Sequence, residues 1–162
     1  MGVSGCGKTT IGKLIATHYG AEFVDADGLH PQSNIEKMSQ GIPLTDEDRW
    51  PWLATVGQAL SESNSLVIAC SALKVTYREE ILKAAPGTLF VHLHGSRELL
   101  HRRMNSRSDH FMPASLLDSQ LATLELLRAT EPGYELNIAD SETDIVTKAS
   151  KWIDSRQAIL KK

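Results

Sequence analysis

The run Gly2-Val3-Ser4-Gly5-Cys6-Gly7-Lys8-Thr9 has the spacing G-x-x-x-x-G-K-[ST] of a loop that wraps phosphate groups. Glycines let a backbone close around an anion without Cβ clashes. Successive N–H groups and the start of the helix that follows supply positive potential. In such a loop Lys8 reaches the outer phosphates of a nucleotide and the Thr9 hydroxyl holds Mg²⁺, with Thr10 next on the same turn. The competing reading is a fortuitous glycine turn, which the helical pattern after Gly7 disfavours.

Asp25 and Asp27 close a short apolar segment as D-x-D. In an open parallel sheet the C-terminal ends of strands face the ligand crevice. Two carboxylates there can orient metal-bound water and accept a hydroxyl proton. Without the phosphate loop the pair would read equally well as a helix cap. The run Leu66 to Ser71 ends without an Asp, so Asp25 becomes the candidate metal-side carboxylate and Asp27 the candidate base.

Arg49, Lys74 and Arg78 lie near helix starts and are either solvated charges or an anion-binding set. Arg103 and Arg107 are four apart on one helix face, before the loop 108–112. A lid there could bring cations to a transferring phosphoryl group; the plain reading is a basic helix end that complements its dipole. Cys6, beside Lys8 at a helix start, is a candidate reactive thiol or an inert small side chain. His92 and His94 share one strand face, with no Cys or carboxylate nearby in sequence to complete a metal set. Trp50 and Trp52 flank Pro51 and read as core or pocket wall.

These residues need a frame. Periodicity predicts helices over 7–19, 30–40, from Thr45 or Asp46 to Leu60, 73–85, 96–106, 113–125 and 144–160. It predicts strands over 22–24, 66–70, 89–93 and 135–139, the second an unbroken apolar run of the kind buried on both faces. Alternating strand and helix argues for an α/β fold with a parallel sheet covered on both sides. At 162 residues this is one domain, 1–162, large enough to bury a core without disulfides or a structural metal.

The bulk numbers narrow the partners. A net charge of -3 offers no basic excess for nucleic acid or an anionic membrane. No signal peptide is evident, and no apolar run is long enough to cross a bilayer. Two cysteines, Cys6 and Cys70, fit neither a zinc spacing nor a disulfide framework, and point to a reducing cytoplasm.

Taken in order, several segments resemble the gluconokinase family, small ATP-dependent kinases of the P-loop NTPase fold. They are the phosphate loop, Asp25-Ala26-Asp27-Gly28-Leu29-His30-Pro31, Asn34-Ile35-Glu36-Lys37-Met38, and Gly41 to Arg49 with Pro51-Trp52-Leu53. Cys70-Ser71-Ala72-Leu73-Lys74 with Tyr77-Arg78, His110-Phe111-Met112-Pro113, Ser119-Gln120 and Thr123-Leu124-Glu125 complete the set. The resemblance implies transfer of phosphate from ATP, with Mg²⁺, to the terminal hydroxyl of D-gluconate by a homodimeric enzyme. It implies a three-layer α/β/α fold with a five-stranded parallel sheet, a substrate-binding helical segment over about 28–62 and a lid over about 103–113. On this reading Gly2 to Thr10 bind the nucleotide, and Lys8, Asp27, Arg103 and Arg107 are catalytic. Thr9 and Asp25 face the metal, and Asp27, His30, Arg49, Lys74 and Arg78 face the sugar acid. The alternatives are another small-molecule kinase of the same fold, such as a shikimate kinase, a nucleotide-dependent switch, or a truncated inactive remnant.

One part of the expected frame is missing. A phosphate loop is normally the turn from a buried strand into a helix, and here only Met1 precedes Gly2. The expectation is a fragment or incomplete gene model, with an empty slot in the sheet beside Gly2.

Overall fold

The computed structural model describes residues 1–105 and 114–160. Helix α1, Lys8–Tyr19, buries Ile11, Gly12, Ile15 and Ala16 along one stripe. Leu14, grouped with them by spacing, points outward at 40 % exposure. Gly12 is where the helix meets the sheet: a Cβ there would lie 2.7 Å from the Phe23 ring. Gly20, left-handed at φ 62°, ends the helix, and the chain turns into strand β1, Glu22–Asp25.

A 3-10 turn at Ala26–Leu29 follows β1, which the periodicity did not suggest. Helix α2, Gln32–Ser39, begins after Pro31. Helix α3, Asp46–Glu62, opens on a capping box in which Thr45 and Asp48 satisfy each other's backbone N–H groups. Strand β2, Leu66–Ala69, runs parallel to β1 in the register Phe23 to Val67 and Asp25 to Ala69. Helix α4, Val75–Ala84, starts two residues later than its pattern implies, because Lys74 is extended. Strand β3, Phe90–His94, leads to α5, Arg97–Asn105. Helix α6, Ala114–Thr123, strand β4, Gly133–Asn137, and helix α7, Glu142–Leu160, complete the described chain. Strand β4 pairs parallel with β3, Leu93 opposite Leu136.

Helices cover both faces, as the strand–helix alternation requires. One core gathers Ile11 and Ile15 of α1 with Leu93, Leu100, Leu117 and Ile145. The other gathers Trp52, Leu53 and Val56 of α3 with Tyr77 and Ile81 of α4 and Phe90. This is the three-layer arrangement expected, but its strands form two parallel pairs, β1–β2 and β3–β4.

The expected slot lies between those pairs. A cavity of about 650 Å³ is bordered by Val67 and Ile68 of β2, Val91 of β3, Ile15 of α1 and Ile81 of α4. Val67 and Ile68 are therefore half-buried rather than enclosed on every side. Met1 sits at the end of the slot. Its amine donates to Val91 O, and its carbonyl accepts from Leu93 N at 3.0 Å. Gly2 N donates to Ser71 O at 3.1 Å, so the start of the phosphate loop is tied to both strand pairs. Among the described residues, no helix is long and apolar enough to cross a membrane.

Candidate active site

The phosphate loop holds Gly2, Gly5 and Gly7 at φ 136°, 80° and 90°, where side chains are strained. The space is closed as well: a Cβ on Gly2 would lie 2.5 Å from Leu93 O, and one on Gly5 2.8 Å from Met104 Cγ. Helix α1 has no side-chain cap and no acidic residue in its first turn. Its first N–H groups are thus left to an external acceptor, in contrast to the capped α3. Lys8 Nζ donates to Val3 O at 3.1 Å, folded back across the loop it would serve.

Asp25 is placed by the end of β1. Its Oδ2 accepts from Thr9 Oγ1 at 2.9 Å and its Oδ1 from Asp27 N at 3.2 Å. Two hard oxygen groups therefore meet at the start of α1, a donor set suited to Mg²⁺. Asp27 follows on the 3-10 turn, which Trp52 anchors by donating Nε1–H to Ala26 O at 2.7 Å. His30 stacks on Trp52 with ring centroids 4.2 Å apart. Burial pushes the His30 imidazole below its ordinary pKa; the Asp27 charge opposes this and the Arg49 charge adds to it.

A second charged group faces the same side. Lys74 Nζ contacts both Asp46 oxygens, at 2.9 and 2.7 Å, and Tyr77 OH donates to Asp46 Oδ1 at 2.5 Å. The Lys74 and Tyr77 hydrogen bonds hold the Asp46 carboxyl below the usual carboxylate range. Arg49 donates to Leu44 O and Thr45 O and lies over the Tyr77 ring, 5.8 Å from its centroid. Asp46 and Tyr77, the partners of the candidate residue Lys74, were not among the residues singled out from the sequence. Asp46 reads from sequence only as a helix cap, although it lies within the family-like stretch Gly41 to Arg49.

Arg103 stands on the other side of the loop. Its Nη2 donates to Ile138 O at 2.8 Å, and Nη1 would lie 3.7 Å from a Cβ on Gly7. A cavity of about 160 Å³ beside it is bordered by Gly5, Gly7, Thr10 and Glu142. Arg107, most of the expected lid and the 108–112 loop lie outside the described residues.

One expectation needs correction. Arg78 does not face a substrate: it is 0 % exposed, bonded to both carboxylate oxygens of Glu131 and to the carbonyls of Ala72, Leu73, Glu125 and Leu126. Its place on the inner face of α4 turns it into the core. The Cys6 side chain is also 0 % exposed and packs in the α1 core, so only its backbone belongs to the loop surface. His92 and His94 are neighbours on β3 with centroids 5.8 Å apart, and His92 bonds Glu135.

The phosphate loop, its uncapped helix and the parallel strands define a protein of the P-loop class, and a family model described as shikimate kinase, matching residues 4–157, places it among the kinases of that class. The chain is 47 % identical to a thermosensitive gluconokinase of Escherichia coli, over 99 % of this chain and 85 % of that protein. It is 50 % identical to a gluconokinase of Gluconobacter oxydans, over 90 % of this chain and 84 % of that one. The crystal structure of a gluconokinase from Sinorhizobium meliloti superposes with a TM-score of 0.89 at 46 % identity, covering 99 % and 93 % of the two chains. The chain belongs to the gluconokinase family. Membership of a kinase family implies ATP as the phosphate source.

Proposed function

We propose that the protein phosphorylates D-gluconate at its terminal hydroxyl with MgATP, giving 6-phospho-D-gluconate. The observation that carries the reading is the hydrogen-bonded run Thr9–Asp25–Asp27, in which the Asp25 carboxylate meets the first turn of the loop helix and also accepts from the backbone N–H of Asp27. The likeness to gluconokinases supplies the acceptor.

On this reading Lys8 and the loop Gly2 to Thr10 hold the ATP phosphates, through the amides other than Gly2 N and Ser4 N, which donate to Ser71 and Gln120. Thr9 and Asp25 would hold Mg²⁺, which when bound neutralises charge on the phosphates. Asp27 orients the acceptor hydroxyl and takes its proton as the new P–O bond forms. Arg103, with Arg107, offsets negative charge on the transferring group. His30 and Arg49, in the segment of about 28–62, line the acceptor side together with Lys74, and Asp46 and Tyr77 fix the Lys74 ammonium there. The free thiols Cys6 and Cys70 support a cytoplasmic setting. The homodimer is proposed on the resemblance, with exposed Ile35, Met38 and Ile42 offering apolar surface.

The test is Mg²⁺-dependent ADP release measured with gluconate, with shikimate and with neither. Release only with gluconate is expected. Equal turnover with shikimate would move the protein to the alternative acceptor class, and release with neither would leave a nucleotide switch.

A further inference from the structure

The segment Ser119-Gln120 to Thr123-Leu124-Glu125 has no part in the chemistry above, yet it touches both sides of the site. Gln120 on α6 accepts a hydrogen bond from Ser4 N through its Oε1 at 2.6 Å. Ser4 N is one of the N–H groups of the phosphate loop. Just past the end of α6, Glu125 N donates to Leu73 O at 2.8 Å. Glu125 Oε2 accepts from Val75 N at 2.6 Å, at the otherwise uncapped start of α4.

The turn between those two contacts needs holding. Ala72 has φ 43°, a left-handed backbone that a residue with a Cβ adopts at a cost. The buried Arg78 guanidinium takes the carbonyls of Ala72 and Leu73 on one side and those of Glu125 and Leu126 on the other. Lys74, the next residue of the turn, carries the Asp46 ion pair of the acceptor side. Gly2 N to Ser71 O links the same turn to the phosphate loop directly. One short segment therefore grips the third residue of the phosphate loop at one end and the acceptor-side turn at the other.

We propose that Gln120 and Glu125 are positioning residues that join the phosphate loop and the turn 71–75 into one frame, so that nucleotide and acceptor bind cooperatively. Each acts through backbone N–H groups, Ser4 for Gln120 and Val75 for Glu125. The physical link is a continuous set of hydrogen bonds from loop to turn. The inference rests on gluconate being the acceptor.

The experiment measures binding of a non-hydrolysable ATP analogue with Mg²⁺ by calorimetry, with and without saturating gluconate, in the full chain. Wild-type protein is expected to bind the analogue at least about 5-fold more tightly with gluconate present, within the usual range of coupling between sites. Gln120→Ala and Glu125→Ala are each expected to bring that ratio to within about 2-fold of one, with melting temperatures close to wild type. Glu125→Gln keeps an oxygen acceptor for Val75 N and should keep the wild-type ratio. An undiminished ratio in both alanine variants, loss of the ratio in Glu125→Gln, or a ratio near one in wild type would overturn the proposal. Gluconate-dependent ADP release by wild type is followed in parallel. Its absence counts against the acceptor reading, whereas normal release with unchanged coupling in the alanine variants counts against the frame alone.

Discussion

Thr9 and Asp25 are joined by a 2.9 Å hydrogen bond that ties the first turn of α1 to the end of β1. The other Asp25 oxygen accepts from Asp27 N, so one carboxylate sets both the Thr9 hydroxyl and the backbone of the next aspartate. This relationship separates the two carboxylates: Asp25 is held by the loop helix, whereas Asp27 stands one step further towards His30 and Arg49.

Asp27→Asn removes a proton acceptor while leaving the Asp25 bonds in place. Turnover is expected to fall by about 10²-fold or more, the usual scale for loss of a general base, with ATP-analogue affinity nearly unchanged. Lys8→Ala should lose both. Steady-state kinetics together with a binding titration make the comparison. Near-full activity in Asp27→Asn would reduce that residue to a turn former.

Arg78 belongs to stability. Removing one partner of a buried ion pair costs about 3–5 kcal/mol, because the other charge is left unpaired. At roughly 2–4 °C per kcal/mol for a domain of this size, Arg78→Ala should lower the melting temperature by about 6–20 °C. Any rise in the KM for gluconate should come together with this loss of stability, because Arg78 also holds the turn of Ala72 and Leu73 that precedes Lys74. A large rise in KM with an unchanged melting temperature would restore Arg78 to the substrate side.

Most of the frame was legible in sequence because glycine turns, caps and apolar spacing are local signals. The loop glycines, the Thr45 cap and all four described strands fall where the residues suggest, within a residue or two. What was not legible depends on burial. Arg78 and Lys74 look alike in sequence, and only the packing of α4 sends one into the core and leaves the other beside Asp46. For Cys6 the sequence left a reactive thiol and an inert side chain both open, and burial favours the inert one: the side chain points away from the loop surface into the Ile11 and Leu100 core. The contact from Gln120 to Ser4 spans 116 residues and has no local signature.

Acid sensitivity should follow from His92. Its side chain is 0 % exposed, Nδ1 meets Glu135 Oε1 at 3.1 Å, and Nε2 has no hydrogen-bond partner among the described residues. Burial pushes its pKa below the ordinary 6.5, with Glu135 opposing. Between the lowered folded value and 6.5 the unfolded chain binds more protons, so stability is lost as pH falls through that window. His30, also lowered by burial, acts in the same direction. The part of the decline that belongs to His92 and His30 should begin at about pH 6.5, before the paired carboxylates titrate. His92→Phe should flatten the decline. An identical slope in that variant would assign the effect elsewhere.

The central claim is transfer of phosphate to the terminal hydroxyl of gluconate, and identification of the product tests it most directly. The protein is incubated with MgATP and gluconate, and the product is examined by phosphorus NMR with proton coupling. The account predicts one new phosphomonoester on the terminal CH₂ carbon, formed in step with ADP and absent when gluconate or Mg²⁺ is withheld. A phosphoester at another carbon, or ADP accumulating with inorganic phosphate alone, would contradict it.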